Sequence, residues 1–347
     1  MSKIRVLIVD DSPFIRKALL RIFESEPEIE VAGVARDGKE AIEKVMALDP
    51  DVITLDIMMP GIDGIDTLKI IMETKPTPVL MLSQYTREGA ELTLNALEIG
   101  AMDFVDKSSA GLMDFSRLAK EIVSKIKAIA GSKPHPTFIS PLVRGDIEGL
   151  KGKGIIDAVA VGTSTGGPPA LQVLLQKFPA GVSFGLLIVQ HMPQGFTGPL
   201  ARRLDSICDI HVKEAEDGDR VEPGLALIAP SGLHMTTRKI RSSALGIEGK
   251  IKLEAEPINF AHRPSVDVLF QSVAKVYGCR AIGVILTGMG SDGAKGMQSI
   301  KEQGGFTIAQ DEATSTIFGM PKVAIENGFV DRIIPITSMA EEILKRA

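Results

Sequence analysis

Tryptophan is absent from this 347-residue chain and aromatic residues make up only 4% of it, but its other scarcities exclude more. Two cysteines, Cys208 and Cys279, stand far apart without a C-x-x-C or metal-ligand spacing. Neither a disulfide framework nor a zinc cluster is signalled, and both read as reduced core residues. No apolar run is long enough to span a bilayer. The N-terminal run from Ile4 to Val9 is too short for the core of a signal peptide and is interrupted at once by Asp10 and Asp11. A cytoplasmic protein without direct membrane insertion is expected. Positive charge is not in excess either. The formal net charge of −5 argues against a general nucleic-acid surface and makes a protein substrate or partner easier to accept.

What is present is the composition of an ordinary globular protein, 44% hydrophobic and 24% charged. The length exceeds the size at which one core keeps growing, so two domains are expected. Over residues 1–106, short β-branched runs alternate with helix-period segments, the pattern of a parallel sheet covered on both faces. Strands are expected at 4–9, 29–34, 52–55, 79–82 and 103–105, giving a flavodoxin-like α/β domain of five βα units. Ligands of such sheets bind beyond the carboxyl ends of the strands, and those ends carry Asp10, Asp11, Asp56, Ser83 and Lys107. Three carboxylates on one edge repel unless a hard cation sits among them, and oxygen ligands suit Mg2+. Asp56 is then placed to attack a phosphoryl group whose oxygens Mg2+ and Lys107 hold, leaving an aspartyl phosphate.

In these residues the first hundred or so positions closely resemble the receiver domain of two-component response regulators. The resemblance implies that Asp56 is the phosphoacceptor, that Asp10, Asp11, Asp56 and the Met58 carbonyl hold Mg2+, and that Ser83, Phe104 and Lys107 form the switch. Two departures stand out. Lys107 is followed by Ser108 rather than proline, so the cis peptide many receivers have there is not supported. Phe104 stands where many carry tyrosine, which keeps the bulk and changes the polarity. A helix over 116–130, with Leu118, Ile122, Ile126 and Ile129 on one face, closes the domain. Gly131 to Pro136 and the glycines at 145 and 149 then break the pattern. The expected division is a receiver over 1–130, a linker over 131–151 and a second domain over 152–347. His135, between prolines in that linker, reads as spacer.

In the second domain, strand-like runs recur at 155–161, 183–190, 225–229 and 281–287, a doubly wound, mostly parallel α/β pattern with a β-hairpin. The first run ends in Gly162-Thr163-Ser164-Thr165-Gly166-Gly167-Pro168, a strand, a tight turn and a helix in the form of the G-x-S-x-G nucleophile elbow. Gly162 and Gly166 permit strained or positive-φ backbone, and Pro168 and Pro169 suit a first helical turn. Free N–H groups at the helix start are available to an oxyanion. Alone, such a turn also fits a simple connection or a phosphate cradle. His191, in Gln190-His191-Met192-Pro193, and Asp292, in the segment from Thr287 to Gly293, follow two further strands. A hydroxyl, an imidazole and a carboxylate therefore share one sheet edge, as a nucleophile, its base and the base's orienting group require. Backbone N–H groups near Met289 and the Ser164 turn would hold the oxyanion. His211, after an apparent short strand, and His234 read as structural hydrogen-bonders, whereas His262 and Arg263 are candidates to line the site. The chain order Ser, His, Asp is not that of the α/β-hydrolases.

The segments Gly162 to Pro168, Gln190 to Pro193, Arg263 to Asp267 and Thr287 to Gly293 resemble those of the chemotaxis protein-glutamate methylesterase family, CheB. Receiver, linker and catalytic domain come in that family's order, so the resemblance covers nearly the whole chain. It implies Ser164, His191 and Asp292 as a triad, with Thr165 and Met289 beside the oxyanion site. It also implies hydrolysis of glutamyl methyl esters, and deamidation of glutamines, on the cytoplasmic helical bundle of chemoreceptors. No cofactor is expected for the hydrolysis, a CheA-type histidine kinase is the implied phosphodonor, and the unphosphorylated receiver is expected to cover the crevice. Three other readings remain at this point. A triad fixes the reaction class but not the acyl group, which leaves a receiver-controlled esterase with another substrate. A non-catalytic regulator binding a nucleotide phosphate at 162–167 lacks the full G-x-G-x-x-G spacing and a Walker lysine. A DNA-binding response regulator lacks a compact basic recognition helix.

Overall fold

The computed structural model describes residues 2–84, 86–107, 115–132, 156–244, 246–256 and 262–347. The chain forms two compact units, Met1–Ser140 and Pro141–Ala347.

In the first unit the strands are β1 (Ile4–Val9), β2 (Ile29–Ala35), β3 (Val52–Asp56), β4 (Val79–Ser83) and β5 (Asp103–Asp106). Between them run α1 (Pro13–Glu24), α2 (Gly38–Leu48), α3 (Gly64–Thr74) and α4 (Arg87–Ile99), and α5 (Phe115–Ile129) follows. Four of these helices start on a side-chain cap: Ser12, Asp37, Asp63 and Thr86 each accept an orphan N–H of the first turn. The sheet is parallel in the order β2-β1-β3-β4-β5, the flavodoxin-like arrangement expected. β3 and β4 are buried along their whole length, because helices cover both faces. Every polar group at their carboxyl ends therefore sits at the lip of the core.

The second unit is built on β6 (Ala158–Thr163), β7 (Gly185–Gln190), β8 (His211–Glu214), β9 (Leu225–Ile228), β12 (Ala281–Ile285), β13 (Phe306–Gln310) and β14 (Arg332–Ile334). Their order is β14-β13-β12-β6-β7-β9-β8, with every neighbouring pair parallel. A separate antiparallel hairpin joins β10 (His234–Ser243) to β11 (Gly246–Glu254). The helices are α6 (Gly167–Leu175), α7 (Thr197–Ile207), α8 (Val266–Tyr277), α9 (Ala294–Glu302), α10 (Met320–Glu326) and α11 (Ile336–Arg346). The chain winds from β6 through β7 to β8 and β9 on one side, then returns to build β12, β13 and β14 on the other. The reversal lies between β6 and β12, and the crevice at such a switch point is where open α/β sheets bind ligands.

Several expectations are corrected here. β6 starts at Ala158, with Ile155 outside the described residues. His211 opens β8 rather than following a strand. Neither β13 nor β14 was anticipated. Cys279 is exposed and Cys208 only half-buried, so neither is a core residue in the full sense. Burial and the carboxylates of Asp209 and Asp205 push the Cys208 thiol up to about 12, which keeps it protonated. The expected linker beyond Ser132, with His135, and the Lys107–Ser108 bond lie outside the described residues.

Candidate active site

Ser164 follows β6, His191 follows β7, and Asp292 lies in the loop between β12 and α9. The first two are tied at the main chain, since the His191 N–H donates to the Thr163 carbonyl (3.0 Å). Ser164 is also tied to the strand end on its other side. Its N–H donates to the Thr287 carbonyl (3.0 Å), and the Thr287 hydroxyl donates to the Thr165 carbonyl (2.9 Å) while accepting the Ile317 N–H (2.9 Å).

The glycines of this turn have separate reasons. Gly166 adopts φ +77°, which an L side chain takes only with strain. Gly162 has no such angle; a Cβ there would lie 2.2 Å from Val266, so close helix packing demands it. Gly288 packs directly against Ser164, because a Cβ there would come within 2.7 Å of the Ser164 Cβ. Met289 is the next residue along the chain from this contact. Thr165 is buried at the start of the turn that leads into α6.

Asp292 is held more firmly than the sequence indicates. Its Oδ2 accepts from His191 Nε2 (2.9 Å) and the Val266 N–H (2.8 Å), and its Oδ1 from the Ser265 hydroxyl (2.8 Å) and the Asp267 N–H (3.0 Å). The carboxylate thus lies at the positive N-terminal end of α8. Asp267 reciprocates, accepting the N–H groups of Gly293 (3.0 Å) and Gly296 (2.7 Å) at the start of α9. Burial by itself would raise the Asp292 carboxyl; the bond to His191 and the backbone donors outweigh it and bring it down to about 2. For Asp267 burial wins, and its carboxyl is raised.

Nε2 is taken up by Asp292, which leaves the ring's other nitrogen. Nδ1 of His191 is buried and has no hydrogen-bond partner among the described residues. The Ser164 hydroxyl therefore makes no hydrogen bond to Nδ1 here; bonds of this kind tighten when substrate binds. His262, a site-lining candidate from sequence, lies flat on His191, with ring centroids 4.2 Å and planes 17° apart. Arg263 is exposed beside it. His234 is a buried structural residue, its Nδ1 accepting the Ser265 N–H (3.2 Å), and His211 pairs with Asp205 at the surface (2.7 Å).

Sequence reasoning missed Ser265, Thr287 and Gln190. Ser265 was findable in principle, as a serine before an apolar helix start is an N-cap signal, and it does cap α8.

In the first unit, ligand oxygens of Asp10, Asp11 and Asp56 lie within 4.8 Å of one another. Asp10 and Asp56 are buried and Asp11 is exposed. Lys107 Nζ bridges Asp56 (2.7 Å) and Asp10 (3.1 Å). Burial raises the Asp56 carboxyl despite Lys107. One ammonium does not balance three carboxylates, and this hard-oxygen set fits a divalent ion such as Mg2+. The Met58 N–H lies 3.4 Å from Asp56 Oδ1. Ser83 is buried and accepts from the Thr93 hydroxyl (2.7 Å). Phe104 is buried too; Lys125 donates to its carbonyl (2.6 Å) and lies 5.6 Å from its ring centre.

Comparison with known proteins agrees with both halves. A family model described as CheB methylesterase matches residues 159–343, and one described as response regulator receiver domain matches residues 6–118. The chain is 47% identical over 345 residues to a protein-glutamate methylesterase/protein-glutamine glutaminase of Archaeoglobus fulgidus, covering 98% of this chain and 97% of that one. A Pyrococcus abyssi protein of the same name is 47% identical over 350 residues, covering 99% and 93%. The crystal structure of the Thermotoga maritima CheB methylesterase catalytic domain superposes with a TM-score of 0.52 at 38% identity, covering 55% of this chain and 99% of that one. No helix among the described residues is long and apolar enough to cross a membrane. On these matches the chain belongs to the CheB family of protein-glutamate methylesterases/protein-glutamine glutaminases, with a response-regulator receiver domain ahead of the methylesterase domain.

Proposed function

We propose that the chain hydrolyses glutamyl methyl esters, and deamidates glutamines, on cytoplasmic regions of chemoreceptors, with Ser164 as nucleophile, His191 as base and Asp292 as orienting group. The observation that carries this is the imidazole of His191, bonded to a clamped carboxylate through Nε2 and open at its buried Nδ1, on a main chain bonded to the residue before Ser164. The Ser164 oxygen attacks the glutamyl carbonyl carbon as its proton passes to His191 Nδ1. Asp292 holds the Nε2–H and stabilises the imidazolium. Backbone N–H groups near Thr165 and Met289 face the developing oxyanion. As the tetrahedral adduct collapses, the His191 proton goes to the leaving methoxide, or to the leaving amide nitrogen, giving methanol or ammonia. Water, deprotonated by His191, then cleaves the glutamyl-serine ester and restores Ser164. Acid quenching during turnover of a methylated receptor should leave that ester on the peptide containing Ser164; an ester on another residue would refute the assignment.

The receiver supplies control in this reading. A CheA-type histidine kinase phosphorylates Asp56, with Asp10, Asp11, Asp56 and the Met58 carbonyl as ligands of Mg2+, which when bound offsets phosphoryl charge. Lys107 orients the phosphoryl oxygens, Ser83 and Phe104 respond to them, and phosphorylation opens access to the catalytic crevice. The working division is a receiver over 1–130, a linker over 131–151 and a catalytic domain over 152–347.

A further inference from the structure

We infer that Gln190 is a positioning residue for this hydrolysis: its buried carboxamide locks the main chains of the nucleophile and the base into one frame. The inference rests on the assignment of Ser164, His191 and Asp292 above. Gln190 ends β7 and pairs in register with Thr163, the end of β6. Its side chain is 2% exposed. Its Nε2 donates to the carbonyl of Ser164 and to the carbonyl of His191, each at 2.9 Å. An amide NH2 carries two hydrogens, and both are given to the two residues whose side chains react.

The strand ladder does not require this. It is completed by the His191 N–H on the Thr163 carbonyl, and the Ser164 carbonyl already receives the Gly167 N–H (2.8 Å). What the carboxamide adds is direction. A trans peptide is planar, with its carbonyl and N–H on opposite sides. Fixing the Ser164 carbonyl therefore fixes where the Thr165 N–H points, and fixing the His191 carbonyl sets the main chain from which the imidazole hangs. One side chain thus sets both the direction of an oxyanion-side donor and the seat of the base.

The surroundings are shaped to admit it. A Cβ on Gly167 would come within 1.9 Å of Gln190 Oε1 and 2.6 Å of the Thr163 hydroxyl oxygen, so the first residue of α6 leaves room for the carboxamide. Oε1 itself is buried with no hydrogen-bond partner among the described residues. Burying an acceptor unmatched is unfavourable, so satisfaction of the oxygen is not what places this group. Its two N–H donors are.

The test uses the full-length chain with Gln190→Met, which keeps the length and removes the donors, and Gln190→Glu, which keeps the shape and leaves no NH2. Turnover of methylated receptor is measured beside reaction of Ser164 with a fluorophosphonate, in which the serine oxygen bonds phosphorus, fluoride departs and the serine proton passes to His191. Both kcat and the labelling rate should fall about 10- to 100-fold, with KM within about twofold of wild type. A kcat and labelling rate per titrated site within about twofold of wild type in either folded variant would overturn the inference, whatever happens to the unfolding midpoint. If Ser164→Ala turns over receptor like wild type, the triad assignment fails and takes this inference with it. An inactive Ser164→Ala beside Gln190 variants of wild-type rate overturns the inference alone.

Discussion

Asp292 is a half-buried carboxylate held by four donors, and that has consequences in pH. Its carboxyl lies at about 2 against an ordinary 3.8. A depressed native value means the folded state binds the proton less readily than the unfolded chain. The stabilisation is therefore fully present above pH 3.8 and is lost as pH falls through about 2, amounting to about 2 kcal/mol. Asp292→Asn should remove this dependence, so that the stability gap between wild type and variant shrinks by about 2 kcal/mol from pH 5 to pH 2. Denaturant titrations at stepped pH measure it. At neutral pH the same variant sets an NH2 group against His191 or the donors of α8, and kcat should fall by roughly 1000-fold or more.

The residues proposed as a triad were legible because each lies in a loop that follows a strand of the sheet, where an open sheet presents chemistry. Gln190 was not, because a glutamine ending a buried strand has no signal in sequence. Only the fold shows that its carboxamide reaches two carbonyls. The stacking of His262 on His191 is equally invisible in sequence, as ring contact across loops far apart along the chain has no spacing rule.

Elements differ in how well sequence marks them. β1, β3, β4 and β7 are runs buried on both faces and read as strands at once. β8 alternates polar and apolar residues at the sheet edge, β14 has three residues, and β13 is a five-residue run directly after Gly304-Gly305. Tertiary pairing, not local preference, makes these strands. The contact between elements yields its own prediction. Gly162→Ala pushes a methyl into Val266 in the core and should cost about 1–3 kcal/mol. Gly288→Ala instead pushes it against Ser164 (2.7 Å) and the Met320 sulfur (2.4 Å), so kcat should fall about tenfold or more for the misplacement of the nucleophile. Thermal unfolding and turnover measured on both variants separate the two effects. Equal loss of activity per folded molecule would contradict the packing assigned to Gly288.

At the scale of the molecule, two sheets with separate cores carry two chemistries that share no side chain. The acidic cluster of the first unit draws on Asp10, Asp11, Asp56 and Lys107, and the second unit's site on none of them. Mg2+ removal by chelation should therefore abolish the response to a small-molecule phosphodonor while leaving basal hydrolysis within about twofold. Basal hydrolysis that disappears with the metal would contradict this separation. The receiver was more legible than the catalytic unit because its function rests on charged residues at strand ends. The catalytic unit depends as much on backbone carbonyls and glycine contacts, which sequence does not display.

The most direct test is methanol release from methylated receptor membranes by the full-length protein, with and without phosphodonor. The account predicts release by wild type that rises with the donor, none from Ser164→Ala, and a basal rate from Asp56→Asn that does not respond to the donor. Full activity in Ser164→Ala, or a normal donor response in Asp56→Asn, would contradict it.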